Sequence, residues 1–434
     1  MRKLNTNYSE LLINILLYLT ILVMPLIVVN FSNEPRYVIG KVVFIYVANL
    51  IGAILLIVNG KFKFKKEHII AIFFLITILI AAVFSPYGNT ALIGSTERRE
   101  GFTMFFSYAF LFFLSSNYLK VTEKTLDLIL IVGSISGIYG ILQFFGIDPI
   151  QKWALGGIAV SNSIGTIGNR NFFSSYICLF LFLSMALYIL KGKIKYFIYS
   201  LVLFAALICS MTRGGWVAFI AVAIIGLFFI IKRKKSLIRA IIVGVCFAII
   251  VFTLNYTSNG EVIGRVDNLK EQITTQDEEV KSTSSASSRM DILKMTIKAF
   301  KDSPCIGTGP DTLGFRLHRD YFEDVQNHIK TYGQDVDKAH NEYLEHATSS
   351  GISTLIFYLI LLFMIVVQLI QRRKEDKYII ILLPIIGYMV QAFTNISVPM
   401  VAPLFWILLG YAVKEIYKEE EKGERDYGRT EGKV

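Results

Sequence analysis

Charge is sparse in this 434-residue chain: 18% of its residues are Asp, Glu, Lys or Arg, while 54% are hydrophobic. A soluble domain carries about a quarter charged residues, so that class is excluded. Cysteine is nearly absent. Cys178, Cys209, Cys246 and Cys305 stand far apart, which leaves neither a disulfide framework nor a zinc pattern. Three of them fall in apolar runs, where a thiol behaves as a small hydrophobe. Only five histidines are present, so groups suited to proton transfer near neutral pH are few. The net charge of +11 would point to nucleic acid in a soluble chain. Here the lysines and arginines sit mostly in short loops between apolar runs, and membrane topology accounts for them better.

Long apolar runs are what the chain has in abundance. They fall at 11–29, 38–58, 68–85, 102–119, 126–145, 172–190, 194–211, 214–231, 237–254, 352–370, 378–396 and 398–413. Runs of that length cross a bilayer as helices, because backbone groups cannot go unpaired in lipid. The first lacks a small-residue cleavage site and reads as a span, not a signal peptide. The expected fold is an all-α polytopic membrane protein with about twelve transmembrane helices and one large helical loop. Helices one to nine occupy 1–254, the loop domain 255–350, helices ten to twelve 351–416, and a charged tail 417–434.

Basic residues alternate from loop to loop. Arg2 and Lys3 are followed by Lys61, Lys63, Lys65 and Lys66, then Lys120 and Lys124, then Lys191, Lys193 and Lys195. Lys232 to Lys235 with Arg239, then Arg372 to Lys374 with Lys377, and the tail from Lys414 onward complete the series. The positive-inside rule therefore places both termini in the cytoplasm and the long loop outside the cytoplasmic membrane. The short outer loops hold Arg36, Arg98, Arg99, Lys152, Arg170 and Arg213. An arginine at a membrane edge commonly snorkels to lipid phosphate. Arg213 is harder to assign that way. Gly214 and Gly215 allow close backbone approach, and the hairpin Thr212-Arg-Gly-Gly-Trp216 fixes the depth of its side chain.

The long loop carries four of the histidines: His318, His328, His340 and His346. Its first part, Asn268 to Ser288, is rich in Ser, Thr, Gln and acids and is expected to be exposed and mobile. Met290, Leu293, Ile297 and Phe300 then recur at helical spacing, predicting an amphipathic helix on the membrane or against the bundle. Ser303-Pro-Cys-Ile-Gly-Thr-Gly-Pro310 reads as a structural turn, since no strand precedes its Gly-x-Gly. A second helix is expected from near Asp337, with His340, Leu344, Ala347 and Gly351 on one face. His318, His328 and His346 read as structural. Asp335 and Asp337 read as surface acids, and Glu34 alone in the first outer loop does not make a metal pair. A histidine and several arginines beside lipid suit glycosyl transfer from a polyprenyl diphosphate. Arginine charge can stabilise the leaving group, and imidazole can take a proton from the acceptor.

These residues carry a resemblance to the O-antigen ligase and O-antigen polymerase superfamily of bacterial envelope glycosyltransferases. His340-Asn341, nine residues and Gly351-Ile-Ser-Thr354 are similar to its loop-end motif, and Thr212-Arg-Gly-Gly-Trp216 to its Ser/Thr-Arg-Gly/Ala-x-Trp. Arg289 and the 303–309 turn resemble its loop arginine and Pro-x-x-Gly-x-Gly. Gly168-Asn-Arg-Asn171 resembles Gly-Asn-Pro-Asn, with Arg170 in place of proline. The resemblance implies an inverting, metal-independent transferase of the GT-C type without a cofactor. Its donor would be a polyprenyl-diphosphate-linked glycan, and its acceptor a glycan, lipid, wall polymer or protein. On this reading His340, Arg213 and Arg289 are catalytic, and Arg98, Arg99, Arg170 and Asn341 contact substrate. Many relatives carry an acid two residues before the motif glycine; this chain has Ser349. Two alternatives stay open: a polymerase of lipid-linked repeat units, and a transporter or flippase of lipid-linked sugars. Transport would call for mid-span charges and internal repeats, and neither is evident.

Overall fold

The computed structural model describes residues 2–30, 35–150, 163–265 and 285–431. Glu34, Lys152 and the 268–284 part of the segment expected to be mobile lie outside the described residues. All twelve apolar runs are helices. Eight are long and apolar enough to cross a membrane: Tyr8–Leu26, Ile39–Asn59, Lys66–Val83, Glu123–Phe144, Arg170–Lys191, Arg213–Ile230, Lys234–Thr257 and Ile352–Gln371. The other four, Phe102–Tyr118, Ile194–Cys209, Asp376–Gln391 and Ala402–Glu431, are packed among them.

One end of the bundle gathers the basic loops. Lys120 pairs with Glu10 at 3.9 Å, Lys193 and Lys195 reach Glu123 at 2.5 and 2.7 Å, and Asp376 takes Arg233 and Lys191. The other end carries Glu100, Arg170, Arg213 and the 392–401 segment. Each of the four remaining helices joins these two ends. Phe102–Tyr118 leaves from Glu100 and ends at Lys120, and Ile194–Cys209 leaves from Lys193 and ends at the approach to Arg213. Asp376–Gln391 leaves from Asp376 and ends at the opposite side, where the Glu342 amide donates to the Ala392 carbonyl at 2.9 Å. Ala402–Glu431 follows Ser397, which donates to Glu100, and its Glu415 carbonyl accepts from Tyr378 Oη at 3.3 Å.

At the centre stands Arg170–Lys191, buried on nearly all sides against Ile194–Cys209 and Asp376–Gln391. Two of its serines are satisfied inside the bundle, as lipid requires. Ser174 Oγ accepts from Gln391 Nε2 at 2.7 Å, and Ser175 Oγ from Asn395 Nδ2 at 2.7 Å.

Three expectations are corrected. The apolar run 378–396 is helical only to Gln391; residues 392–401 are a non-helical bend, buried apart from Phe393 and Thr394 and held by Asn395 and Ser397. The tail that composition separated at 417 continues the Ala402–Glu431 helix, since Glu and Lys are good helix formers. Ser285 to Ser288 belong to a helix, and Ser288 is buried against His328.

The loop domain has its own small core of Ile292, Met295, Ala299, Leu313, Leu317, Val325, Val336 and Ala339. Its first helix, Ser285–Asp302, therefore buries the stripe Ile292, Met295 and Ala299. The stripe expected to pack is left partly open, with Met290 52% exposed and Ile297 38%. Leu313–Asp320 and Phe322–Tyr332 close this core from above.

Candidate active site

Four elements aim arginines at one recess. Asn169 caps the N-terminus of Arg170–Lys191, its Oδ1 accepting from the Asn171 amide at 2.8 Å, and so fixes Arg170 as the first helical residue. Arg213 opens Arg213–Ile230 after a reversal at Met211, whose φ is 53°. The two glycines that follow are needed for space: a Cβ on Gly214 would come within 2.3 Å of Thr394 Oγ1, and one on Gly215 within 2.2 Å of Ser174 Oγ. Arg265 ends a short helical stretch after Lys234–Thr257, and Arg289 projects from Ser285–Asp302. Together with Asn171, Met290, Leu293, Phe393 and Thr394 they line a cavity of about 330 Å³ that also takes His340 and Asn341.

His340 does not lie on a helix. Its backbone is left-handed, φ 50°, and the helix begins two residues later as Glu342–Ser350. Asn341 is the cap, its Oδ1 accepting from the Leu344 amide at 3.0 Å, which leaves the amide nitrogen as its donor toward a substrate. The helix expected from Asp337 starts late because Lys338 is pulled away from the helical path. Its ammonium is 3% exposed and lies 3.0 Å from Asp311 Oδ1 and 3.4 Å from Glu345 Oε1. Burial pushes this ammonium toward neutrality, but Asp311, Glu345 and Glu100 outweigh burial and hold it charged. Asp311 also accepts from the Ser95 amide at 2.6 Å, and Glu345 from the Ala339 amide at 2.8 Å. One buried cation thus ties the 95–100 loop, the 309–312 turn and the capped helix beneath His340.

The 303–309 turn is a clasp for the far end of that helix. The Gly309 amide donates to the Ser349 carbonyl at 2.7 Å, and the Ile352 amide to the Pro304 carbonyl at 2.8 Å. Gly351 joins two helices at φ 90°, and a Cβ there would stand 2.0 Å from the Cys305 carbonyl oxygen. Ser349, at the position where relatives carry an acid, donates to Glu345 at 3.1 Å.

The structure does not bring every expected residue to the cavity. Arg98 is bonded to Asp337, Nε to Oδ2 at 2.9 Å, and its guanidinium lies over the Phe172 ring at 5.6 Å. Arg99, with φ 56°, is also absent from the lining. Arg98 and Asp337 therefore brace the non-helical segment leading to His340, and Asp337 is not a plain surface acid. His346 is 5% exposed among Phe74, Phe105 and Tyr358, facing the bundle, and His318 is held by the Gly314 carbonyl and Asp335. Glu342 faces the same way as His346, accepting from Tyr358 and Tyr388. The acid that acts on the His340 imidazole is consequently Asp337. Burial pushes the His340 imidazole down to about 4, with Asp337 opposing and Arg289 and Arg98 assisting. Burial and repulsion from Arg170 and Arg213 also push the Arg289 guanidinium below its ordinary value.

Arg265 went unrecognised in the sequence because no motif surrounds it. The available signal was position: a lone arginine in Val262-Ile-Gly-Arg265, just beyond the apolar run 237–254. Among the described residues no group of three His, Cys, Asp or Glu side chains is placed to hold a metal ion. The cavity offers two things chemically: dense positive charge for an anion, and a neutral imidazole able to accept a proton.

Residues 198–359 match the model of a family described as O-antigen ligase, a stretch that includes Arg213, Arg265, Arg289 and His340. This match supports membership of that family. No curated protein matches the chain.

Proposed function

Taking O-antigen ligase membership as the premise, we propose that this membrane enzyme transfers a glycan from a polyprenyl-diphosphate carrier to an acceptor hydroxyl. The observation that carries the reading is the cavity itself, in which Arg213 and Arg289 face a neutral His340. His340 takes the acceptor's hydroxyl proton as that oxygen attacks the anomeric carbon. The bond from that carbon to the phosphate oxygen breaks, its electron pair leaves with the diphosphate, and the anomeric configuration inverts. Arg213 and Arg289 stabilise the charge gained by the leaving group through directed, charge-assisted hydrogen bonds. Arg170 and the Asn341 amide contact the substrate beside them.

The basic loops collected at one bundle end and the cavity at the other support twelve crossings, with both termini cytoplasmic and the loop domain outside. The donor then reaches the cavity from the outer leaflet of the cytoplasmic membrane. A ligase, with a lipid, wall polymer, protein or other glycan as acceptor, is preferred over a polymerase.

Purified protein incubated with a lipid-linked oligosaccharide and candidate acceptors should release polyprenyl diphosphate and form an inverted glycosidic bond. Chain lengthening of the lipid-linked donor alone would identify a polymerase. Movement of the donor across vesicles with no new bond would discard transfer in favour of transport.

A further inference from the structure

The cavity holds more positive charge than the diphosphate of the bound donor carries. A diphosphate esterified at both ends carries one negative charge on each phosphorus, which Arg213 and Arg289 match one to one. Arg170 and Arg265 line the same cavity, and among its described lining residues there is no carboxylate. The excess is not dispersed by distance. Burial, together with repulsion from Arg170, Arg213 and Arg289, pushes the Arg265 guanidinium below its ordinary value, and its Nε is buried without a hydrogen-bond partner. Like charges crowded into a recess of low dielectric raise the energy of the empty fold, and an arriving anion removes that penalty.

Helix electrostatics do not favour Arg170 where it stands. Arg170 occupies the first position of its helix, where a positive side chain opposes the helix dipole. A second helix, Arg213–Ile230, also presents its positive end to the cavity, which adds to the field already present.

We propose that the cavity binds an acidic saccharide beside the diphosphate, with Arg170 and Arg265 forming an anion subsite for a carboxylate or phosphate group on the glycan. The proposal rests on the transferase reading and narrows its substrates to acidic glycans. Arg213 and Arg289 keep the diphosphate, and the neighbouring pair selects the sugar.

Binding to the full-length protein in detergent tests this with four probes. Farnesyl diphosphate reports the diphosphate site, trigalacturonic acid a carboxylate, a short glycerol phosphate oligomer a phosphate, and maltotriose is the neutral control. An acidic probe should bind while farnesyl diphosphate is saturating, and maltotriose should not. The tighter of the two acidic probes identifies the group recognised. Arg170→Gln and Arg265→Gln should each weaken the acidic probe by about tenfold or more. Arg265→Gln should keep farnesyl diphosphate within about twofold, which also shows that it is folded. Displacement of the acidic probe by farnesyl diphosphate, or equal loss of both probes in Arg265→Gln, would mean a single diphosphate site and overturn the subsite. Farnesyl diphosphate binding that ignores Arg213→Ala and Arg289→Ala would sink the transferase reading itself, and the subsite with it.

Discussion

At the residue scale the reading depends on a neutral imidazole beside fixed guanidiniums. His340→Ala should leave a folded protein that binds lipid-linked glycan but turns over roughly 10²–10⁴ more slowly. His346→Ala opens a hole among Phe74, Phe105 and Tyr358, so it should lower thermal stability while turnover per folded molecule holds. If His346→Ala were the inactive one, the base is misassigned. Arg213→Lys keeps the charge but loses the planar fork, and should impair transfer nearly as much as Arg213→Ala. The pH profile follows from the environment of His340. An imidazole held near 4 is deprotonated, and competent as a base, over the whole neutral range. The acid limb of kcat/KM should therefore lie well below the ordinary histidine value of about 6.5. Bound diphosphate favours the imidazolium, so the limb of kcat should sit at higher pH than that of kcat/KM. Stability moves in the same direction. The unfolded chain gains its proton near 6.5 while the folded His340 resists until about 4, so this contribution is complete above about 6.5 and lost as pH falls through that window. A kcat/KM profile centred near 6.5 would show that His340 is exposed or is not the base.

At the scale of elements, the capped helix Glu342–Ser350 is positioned from both ends, and each end can be tested. Gly351→Ala introduces a side chain at positive φ against the Cys305 carbonyl, a conformation that costs about 1–3 kcal/mol before the clash is counted. It should lower the unfolding temperature and displace His340, cutting turnover without removing donor binding. Lys338→Ala leaves Asp311 and Glu345 buried without their cation, a change worth about 3–5 kcal/mol, and should reduce the yield of folded protein. Normal melting of both variants would deny the clasp and the buried ion network their structural role. The sequence showed the ingredients of this element but not their arrangement. The spacing of His340, Asn341 and Gly351 was visible. The left-handed turn at His340 was not, because it arises from Lys338 being drawn to Asp311 by contacts far away in sequence. In the same way, helical spacing in 290–300 identified a helix, yet which apolar stripe is buried depends on Leu313, Leu317 and Val325, supplied by later elements.

For the whole molecule, each of the twelve apolar runs holds a helix, because an apolar surrounding forces backbone groups to pair within each segment and leaves little choice of structure. Their ends were less legible where a buried polar network substitutes for the helix, as at 392–401. The resemblance assigned Arg170, Arg213 and Arg289 to one site, but Arg265 stayed invisible in a chain that spaces the four over about 120 residues. Topology remains the claim on which the site depends, and the helices separate two versions of it. If only the eight helices that are long and apolar enough crossed, the chain after Lys66–Val83 would stay outside until Glu123–Phe144. Lys120 and Lys124 would then be external, as would Lys193 after Arg170–Lys191. If Phe102–Tyr118, Ile194–Cys209, Asp376–Gln391 and Ala402–Glu431 cross too, all three lysines are cytoplasmic. Both versions put the loop domain outside, so a reporter at Gln334 cannot choose between them. Fusions at Lys124 and Lys193 can. The ion pairs of Lys193 and Lys195 with Glu123, and of Arg233 and Lys191 with Asp376, gather these loops on one side. We therefore expect cytoplasmic signals at Lys124, Lys193 and Arg373 and an external signal at Gln334. An external signal at Lys193 would remove the crossings of Phe102–Tyr118 and Ile194–Cys209 and put Arg170 on the side of the membrane away from His340, which the cavity they share could not survive.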